Sequence, residues 1–319
     1  MPPSIEGLHH VTATVGDAQE DLDFYVGLLG LRLVKKTVNF DNHGVYHFYY
    51  GDKQGTPSTL MTTFPYRGQG VRVGQKGAGQ VTLTSFSVPV GSLPWWHRRL
   101  SGKGLHVRET PPRFGHGSLV VEDPSGLAIE LAEAPGDERT PWVAGDMEAE
   151  AAIRGIHSVT LRVRNGGPSA GFLVEALGAK LDGVEGSHTR MAVGGGGSGA
   201  FLEILEDPLA PDAVNGLGTV HHVALAVADG EGQLQFREAL VDRGVQVTPV
   251  RDRQYFTSIY FREPGGILYE IATLGPGFTV DEEVAALGTG LKVPSWEEVN
   301  RPAIEAALPP VTLPTPSGA

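Results

Sequence analysis

Apolar and polar residues follow the same order four times along the chain. The first unit begins with LHHVTATV at residues 8–15, where apolar and small polar residues alternate as in a half-buried strand. A helical segment follows, with Asp17 as its predicted N-cap and Gly30 as its predicted end. Its apolar face is predicted from the spacing of Leu22, Tyr25, Val26 and Leu29. Three more strand-like segments complete the unit, so the pattern predicts the order β-α-β-β-β.

The same order predicts four modules in all. They cover approximately residues 5–65, 78–135, 152–208 and 217–274. The closing segments of the second and fourth modules, EDPSGLAIELA and REPGGILYEIA, are similar enough to indicate an internal duplication. One βαβββ module leaves an apolar sheet face open, so two modules must pack together to bury it. The predicted fold class is therefore α+β, with four βαβββ modules forming two cup-shaped mixed-sheet barrels.

The length of the chain, 319 residues, is typical of two domains. We predict a boundary near residue 145, which places two modules in residues 1–145 and two in residues 146–319. Residues 275–319 lie outside the repeat and are predicted to form a short helical C-terminal extension. The sequence of this extension shows no candidate chemistry.

Composition narrows the classes of partner. A net charge of −12 argues against nucleic acid or an anionic membrane as the main partner. No apolar run approaches the roughly 20 residues that span a bilayer, and the first ten residues do not resemble a signal peptide. The chain has no cysteine, so histidine, carboxylate or amide groups must hold any metal. These features favour a cytoplasmic enzyme, which could form a homo-oligomer.

Candidate metal ligands emerge when the modules are aligned. LHHVT in the first module and VHHVA in the fourth align His10 with His222, whereas the third module has Ser158 at that position. The closing strand of the fourth module adds Glu270. Two imidazoles and one carboxylate form the facial set that suits non-haem Fe(II) and leaves positions open for substrate and O2. We therefore predict a metal site at these three residues.

This assignment predicts that modules one and four pair around the metal. The alternative is pairing in chain order, with His157 of the third module as a ligand. His157 aligns with His9 and His221 instead, one residue out of register, and such a shift turns a side chain to the opposite sheet face. We therefore interpret His157 as a structural residue.

Several other residues that could belong to a site are predicted to have no role in it. Glu130 and Glu203 occupy comparable strand positions without histidine partners, and we interpret them as remnants that cap or form salt bridges. Lys35 and Lys36 are predicted at a solvated strand end, and Trp95 and Trp96 as anchors of a helix. For His43 and His47 the alternatives are a position near the pocket, on the second and third strands, and ordinary surface exposure, and we favour surface exposure.

With HHVT, FYVGLLGLRLVKKTVNFD, HHVA and GGILYEIAT, the chain resembles the vicinal oxygen chelate superfamily. Within it, the chain is similar to the dioxygenases that open the rings of hydroquinones and chlorohydroquinones. The resemblance implies Fe(II), with Mn(II) as the alternative, bound by His10, His222 and Glu270. It implies a small aromatic diol and O2 as substrates. It also implies supporting catalytic roles for His9, Thr12, His221, Arg253 and Tyr260.

The residues themselves leave several questions open. Thr12 shares a strand face with His10, but an ideal strand would turn His9 and His221 away from the metal, so their roles require a bulge. An extradiol dioxygenase for catechols would use the same ligands. A metal-dependent isomerase or lyase would usually have a fourth protein ligand. The segment STLMTTF at residues 58–64 contains neither histidine nor carboxylate, which favours the open site with three ligands. A protein that only binds a small aromatic molecule is the remaining alternative.

Overall fold

The structure, a computed structural model, describes residues 4–314. The first module contains β1 (Gly7–Val15), α1 (Ala18–Leu22) continued by a π-helical turn (Asp23–Leu28), β2 (Arg32–Asn39), β3 (Asn42–Gly51) and β4 (Leu60–Pro65). The second contains β5 (Gln80–Val88), α2 (Leu93–Gly102), β6 (Arg108–Arg113), β7 (His116–Glu122) and β8 (Ala128–Glu133). Both modules have the predicted β-α-β-β-β order.

The last two modules repeat this order. The third contains β9 (Gly155–Val163), α3 (Gly166–Leu177), β10 (Lys180–Glu185), β11 (His188–Ala192) and β12 (Phe201–Glu206). The fourth contains β13 (Thr219–Val227), α4 (Gly230–Asp242), β14 (Arg251–Asp252), β15 (Thr257–Arg262) and β16 (Leu268–Thr273). The extension contains short 3-10 turns (Phe278–Val280, Val284–Ala286 and Ser295–Asn300) and α5 (Arg301–Ala307).

The modules form two sheets of eight strands each. The first sheet has the order β14-β15-β16-β13-β1-β4-β3-β2, and the second has β10-β11-β12-β9-β5-β8-β7-β6. Modules one and four therefore share the first sheet, through antiparallel β1 and β13, and modules two and three share the second. The predicted α+β fold class is confirmed. Both sheets include strands from either side of residue 145, and the domain boundary predicted there stays a prediction.

Local features place the helices against these sheets. The Asp17 side chain accepts hydrogen bonds from the backbone N–H groups of Gln19 and Glu20, as predicted for an N-cap. After the π-helical turn, Gly30 adopts a φ of +72°, which reverses the chain into β2 at little steric cost. In the second module, the fully buried Trp96 donates its indole N–H to the Ala151 carbonyl at 2.9 Å. Trp96 thus anchors its helix as predicted.

The extension covers the edge of the first sheet, and this changes the environment of Lys35. The sequence predicts a solvated Lys35, but its side chain is fully buried and forms ion pairs with Asp281 and Glu282. The prediction is wrong because residues of the extension, distant in sequence, lie over β2. Within residues 4–314, every helix is too short or too polar to cross a membrane.

Candidate metal centre

Three adjacent strands of the first sheet bring His10, His222 and Glu270 together. β1 carries His10, β13 carries His222 and β16 carries Glu270. Glu270 Oε2 lies 2.8 Å from His222 Nε2 and 3.4 Å from His10 Nε2, and the two Nε2 atoms are 3.3 Å apart. All three side chains are buried. Their potential ligand atoms lie within 4.8 Å of one another, close enough to share one ion.

The donor set fits a divalent cation. Burial alone would raise the pKa of Glu270, but His10 and His222 hold that pKa well below its ordinary value, so the carboxyl is ionised. Ser258 Oγ donates a hydrogen bond to Glu270 Oε1. Glu270 Oε2, which points between the two imidazoles, receives no hydrogen bond of normal geometry from the described residues. A buried carboxylate oxygen without such a donor is costly unless a cation compensates it.

Each histidine doublet pairs a candidate ligand with a neighbouring imidazole. Nδ1 of His9 lies 2.9 Å from Nδ1 of His10, and Nδ1 of His221 lies 2.7 Å from Nδ1 of His222. A histidine that binds metal through Nε2 carries its proton on Nδ1, so it can donate that proton to the adjacent ring. Burial lowers the pKa of His9 to about 3, so His9 is neutral and its Nδ1 can accept. The doublets thus fix the orientation of the candidate ligands.

Two β-bulges allow consecutive histidines to meet in this way. The pairing of β1 with β13 passes from Leu8 to His10 without His9, and from His222 to Val220 without His221. A bulge leaves one residue unpaired and turns the neighbouring side chains out of strict alternation. The bulges that the roles of His9 and His221 require are therefore present. His9 is buried, whereas His221 is exposed and lines the cavity beside the ligands.

A cavity of about 250 Å³ opens in front of the three candidate ligands. Six aromatic side chains form much of its wall: Phe40, Tyr49, Phe64, Tyr66, Phe256 and Tyr260. Pockets for drug-sized ligands usually measure about 300–1,000 Å³. The smaller volume and the aromatic wall suit a molecule with a single ring.

Arg253 and Tyr260 add a polar wall to the cavity. Arg253 Nε donates to the Tyr260 hydroxyl at 3.1 Å, and the Tyr260 ring lies 5.6 Å from the His222 ring. Burial raises the pKa of Tyr260 above its ordinary value, and so the phenol stays protonated. Arg253 also lies 3.5 Å from an Asp41 carboxylate oxygen. The structure thus places the permanent positive charge of Arg253 beside the candidate metal site.

Thr62 occupies the place where a fourth protein ligand would lie. The register pairs Thr12 with Thr62 as it pairs Ala224 with Glu270, so Thr62 is the counterpart of Glu270 in the first module. Thr12 Oγ1 and Thr62 Oγ1 are 2.8 Å apart. A neutral hydroxyl engaged in this way is a poor metal ligand compared with a carboxylate. The arrangement leaves the candidate site open on this side.

His47 belongs to the cavity, and its predicted surface position is wrong. Its Nε2 lies 3.0 Å from Thr62 Oγ1, and its ring lies 4.1 Å from the Tyr49 ring. Burial, with smaller contributions from neighbouring positive groups, lowers the pKa of His47 well below its ordinary value. His47 and Tyr49 are two positions apart on β3 and so point to the same sheet face. This alternation is the sequence signal that could have placed both residues at the site.

The second sheet repeats the carboxylate part of the site without the histidines. Ser118 Oγ donates to Glu130 Oε1, as Ser258 does to Glu270. Glu130 and Glu203 are both buried, and the Arg113 guanidinium lies between them, 3.2 Å and 2.8 Å from their oxygens. The predicted salt-bridging role of both glutamates is confirmed. The two carboxylates of this second cluster share one side-chain cation.

Arg113 and Arg253 are equivalent positions of the repeat. Arg113 lies five residues before Ser118 in RFGHGS, and Arg253 lies five residues before Ser258 in RQYFTS. The second-sheet arginine reaches the carboxylates, whereas Arg253 contacts Tyr260 at the cavity wall. His157, also in the second sheet, is buried with its Nδ1 2.9 Å from Ser198 Oγ. It lies in the sheet opposite to the candidate ligands.

Comparison with known proteins assigns the chain to a family. The profile of the Glyoxalase/Bleomycin resistance protein/Dioxygenase superfamily matches residues 7–131 and 155–271. The chain belongs to this superfamily. The match covers all four βαβββ modules, and it confirms the membership that the sequence motifs predict. The C-terminal extension lies outside the match.

Relatives that match this chain over nearly their full length are named as dioxygenases. "Putative ring-cleaving dioxygenase MhqO" from Bacillus subtilis (strain 168) is 41% identical over 97% of this chain and 98% of its own length. The "Chlorohydroquinone/hydroquinone 1,2-dioxygenase" of Sphingobium indicum (strain UT26S) is 38% identical over 98% and 99% of the two chains. The predicted resemblance to hydroquinone dioxygenases is therefore confirmed.

Two solved structures, one at high and one at low sequence identity, have the same fold as this chain. The crystal structure of a "putative dioxygenase" from Bacillus subtilis subsp. subtilis str. 168 has a TM-score of 0.93, with 40% identity over 98% of this chain and 99% of that one. Glyoxalase I from Zea mays has a TM-score of 0.61 with 17% identity, over 84% and 92% of the chains. At that identity, the second likeness concerns the fold alone.

Proposed function

We propose that the protein is an Fe(II)-dependent dioxygenase that opens the ring of a hydroquinone-type substrate with O2. The observation that carries the proposal is the open cluster of His10, His222 and Glu270, with Thr62 in place of a fourth ligand. Two histidines and one carboxylate are the set used by non-haem Fe(II) oxygenases. The relative named as a chlorohydroquinone/hydroquinone dioxygenase supports the para-diol over catechol.

In this proposal, the three ligands hold the ion through His10 Nε2, His222 Nε2 and Glu270 Oε2. Bound Fe(II) would supply the redox and Lewis-acid chemistry that allows an aromatic diol to react with O2. The aromatic walls orient the ring beside the ligands and exclude bulk water. The small volume of the cavity, about 250 Å³, limits the substrate to one ring with small substituents.

The polar groups of the cavity wall compensate the charge of the substrate and form hydrogen bonds to it. The Arg253 guanidinium compensates the negative charge of a substrate that binds as its phenolate. His221 is accessible from the cavity and accepts a hydrogen bond at Nδ1 from His222, so its Nε2 carries the ring proton and can donate a hydrogen bond to a substrate oxygen. Thr12, held by Thr62, presents a hydroxyl at the same wall. These residues form the proposed catalytic set together with Tyr260, which accepts a hydrogen bond from Arg253, and His9, which orients His10.

The test is oxygen uptake by protein loaded anaerobically with Fe(II), with hydroquinone and catechol compared at equal concentration. We expect uptake with hydroquinone and little uptake with catechol. Preference for catechol would keep the metal site and replace the substrate class. Absence of uptake with either diol, despite bound iron, would overturn the dioxygenase proposal. Loading with Mn(II) in parallel identifies the active metal.

Matched variants test the ligand assignment. Glu270→Gln should abolish stable iron binding and most turnover, because it removes the only negative charge of the proposed ligand set. The control is Glu130→Gln, which changes the equivalent residue of the second sheet, where Arg113 supplies the cation. Iron content should fall in the first variant and remain in the second. Equal iron content in both would contradict the assignment.

A further inference from the structure

The C-terminal extension contacts residues at both edges of the first sheet. β2 forms one edge of this sheet and β14 forms the other. Lys35 lies on β2, and the turn formed by residues 253–256 directly follows β14. Asp281 of the extension contacts both Lys35 and this turn. Within the sheet, Asp41, between β2 and β3, approaches Arg251 and Arg253 at the longer distances of 3.8 Å and 3.5 Å.

Lys35 depends on the extension for its hydrogen bonds. Its Nζ donates to the Phe278 carbonyl at 3.1 Å, to Asp281 Oδ1 at 2.6 Å and to Glu282 Oε2. The three acceptors match the three N–H groups of an ammonium ion. A fully buried lysine without them would be costly. Lys35 therefore fixes Asp281 at a defined position over β2.

The second carboxylate oxygen of Asp281 holds the turn. Asp281 Oδ2 accepts hydrogen bonds from Gln254 Nε2 at 2.9 Å and from the Tyr255 hydroxyl at 3.1 Å. Gln254 has a φ of +64°, a conformation that residues with a side chain adopt only at a cost. Within the turn, the Arg253 N–H donates to the Phe256 carbonyl at 2.9 Å. Asp281 thus stabilises a turn with an unfavourable backbone conformation.

The same turn carries two groups of the metal cavity. Arg253 donates to Tyr260 at the cavity wall. The Phe256 ring lies 4.9 Å from the His9 ring and 5.3 Å from the His10 ring. A displacement of the turn would therefore move both the positive charge beside the substrate and the aromatic wall beside a ligand.

We propose that Asp281, fixed by the buried Lys35, is a positioning residue that holds Arg253 and Phe256 at the metal cavity. It contacts no residue of the proposed ligand set and acts through the 253–256 turn. Its effect on substrate rests on the function proposed above, whereas its effect on the turn does not. The extension, whose sequence shows no candidate chemistry, is thus part of the construction of the site.

Hydrogen exchange tests the effect on the turn directly. The full-length protein, loaded with Fe(II) under anaerobic conditions, is compared as wild type, Asp281→Ala and Glu298→Ala by mass spectrometry of the peptide covering residues 251–257. Glu298 is the matched control, since it is an acidic residue of the same extension that pairs with Arg301. We expect exchange in this peptide to rise about tenfold or more in Asp281→Ala only, because hydrogen bonds to an ionised acceptor are lost. Unchanged exchange would overturn the proposal.

A second variant covers the case in which Asp281→Ala does not fold because Lys35 loses a partner. The double substitution Gln254→Ala with Tyr255→Phe removes both hydrogen bonds from the turn to Asp281 and leaves the Lys35 pair intact. The same rise in exchange is expected, with iron content unchanged. A variant with wild-type exchange would show that the turn keeps its position by itself, which overturns the proposal.

Kinetics then distinguish positioning from general stability. For hydroquinone, we expect the double variant to raise KM about fivefold to tenfold with a smaller change in kcat, because a displaced Arg253 weakens substrate binding. In an Arg253→Gln background the same double substitution should change KM much less. Equal effects in both backgrounds would overturn the link to Arg253. If the wild type shows no oxygen uptake, the proposed function fails and the exchange result alone decides the role of Asp281.

Discussion

A buried carboxyl group that does not line the cavity provides a quantitative prediction of pH-dependent stability. Asp21 on α1 is 3% exposed, and its Oδ2 accepts hydrogen bonds from the Tyr50 hydroxyl, at 2.6 Å, and from Thr63. Burial raises the pKa of Asp21 to about 8, against a value of about 3.9 in an unfolded chain. The folded protein therefore keeps this proton over a pH range in which the unfolded chain has lost it.

The direction and size of the effect follow from this difference in proton binding. Between the two pKa values the folded state binds more protons, so the contribution of Asp21 to the free energy of unfolding falls as pH rises. Each pH unit in this range corresponds to about 1.4 kcal/mol. With half of the folded molecules ionised near pH 8, the loss between about pH 6 and pH 8 is about 2 kcal/mol.

The perturbation is Asp21→Asn, which cannot ionise. Urea unfolding at about pH 6 and about pH 8 gives the free energy of unfolding of the wild type and the variant. Contributions of other titrating groups cancel to first order in the difference between the two proteins. We expect the variant to gain about 2 kcal/mol relative to the wild type on going from the lower to the higher pH. Asp23→Asn, at an exposed position next to the same helix, serves as control. Parallel pH profiles for wild type and Asp21→Asn would refute the reasoning.

Three further predictions concern other parts of the molecule. His9→Phe should lower metal affinity about 10-fold to 100-fold, because the ring that orients His10 loses its acceptor; competition with a chelator measures this. Arg113→Ala should lower the free energy of unfolding by about 3–5 kcal/mol, because Glu130 and Glu203 remain buried without their cation. An unchanged midpoint of urea unfolding would contradict this prediction. Trp96→Ala should lower the free energy of unfolding by about 3–5 kcal/mol through the cavity left by the fully buried indole, which urea unfolding measures. Iron content per folded chain should not change, because Trp96 belongs to a module of the second sheet.

Residues that obey the repeat could be placed from the sequence. His10, His222 and Glu270 follow from comparison of modules, since equivalent positions in repeated βαβββ units occupy equivalent places in the sheets. The strand alternation that excludes His157 as a ligand is a local property of the chain. The bulges at His9 and His221 could only be stated as a requirement, because their pairing partners lie more than 200 residues apart.

Residues whose surroundings come from distant segments could not be placed. Lys35 has the local sequence of an exposed strand end, and only the chain near Asp281 makes it buried. His47 follows a short stretch of polar residues that is typical of a surface loop, although its strand forms part of the cavity. For Lys35 the deciding contact is tertiary, and no pattern within β2 encodes it. For His47, the alternation with Tyr49 on β3 indicates a shared sheet face, but it does not indicate that this face lines the cavity.

Because Arg113 belongs to the chain, the two sheets differ in whether their buried carboxylates need a cation from solution. In the second sheet, a side chain of the protein, Arg113, is the cation beside the buried carboxylates, so the pairing forms on folding without a bound metal. In the first sheet, the equivalent arginine stays at the wall, and under the proposed function the cation must come from outside. A chelator would then act on one sheet only. After the duplication, the second sheet thus forms its carboxylate cluster without metal, whereas the chemistry proposed for the first sheet depends on metal from solution.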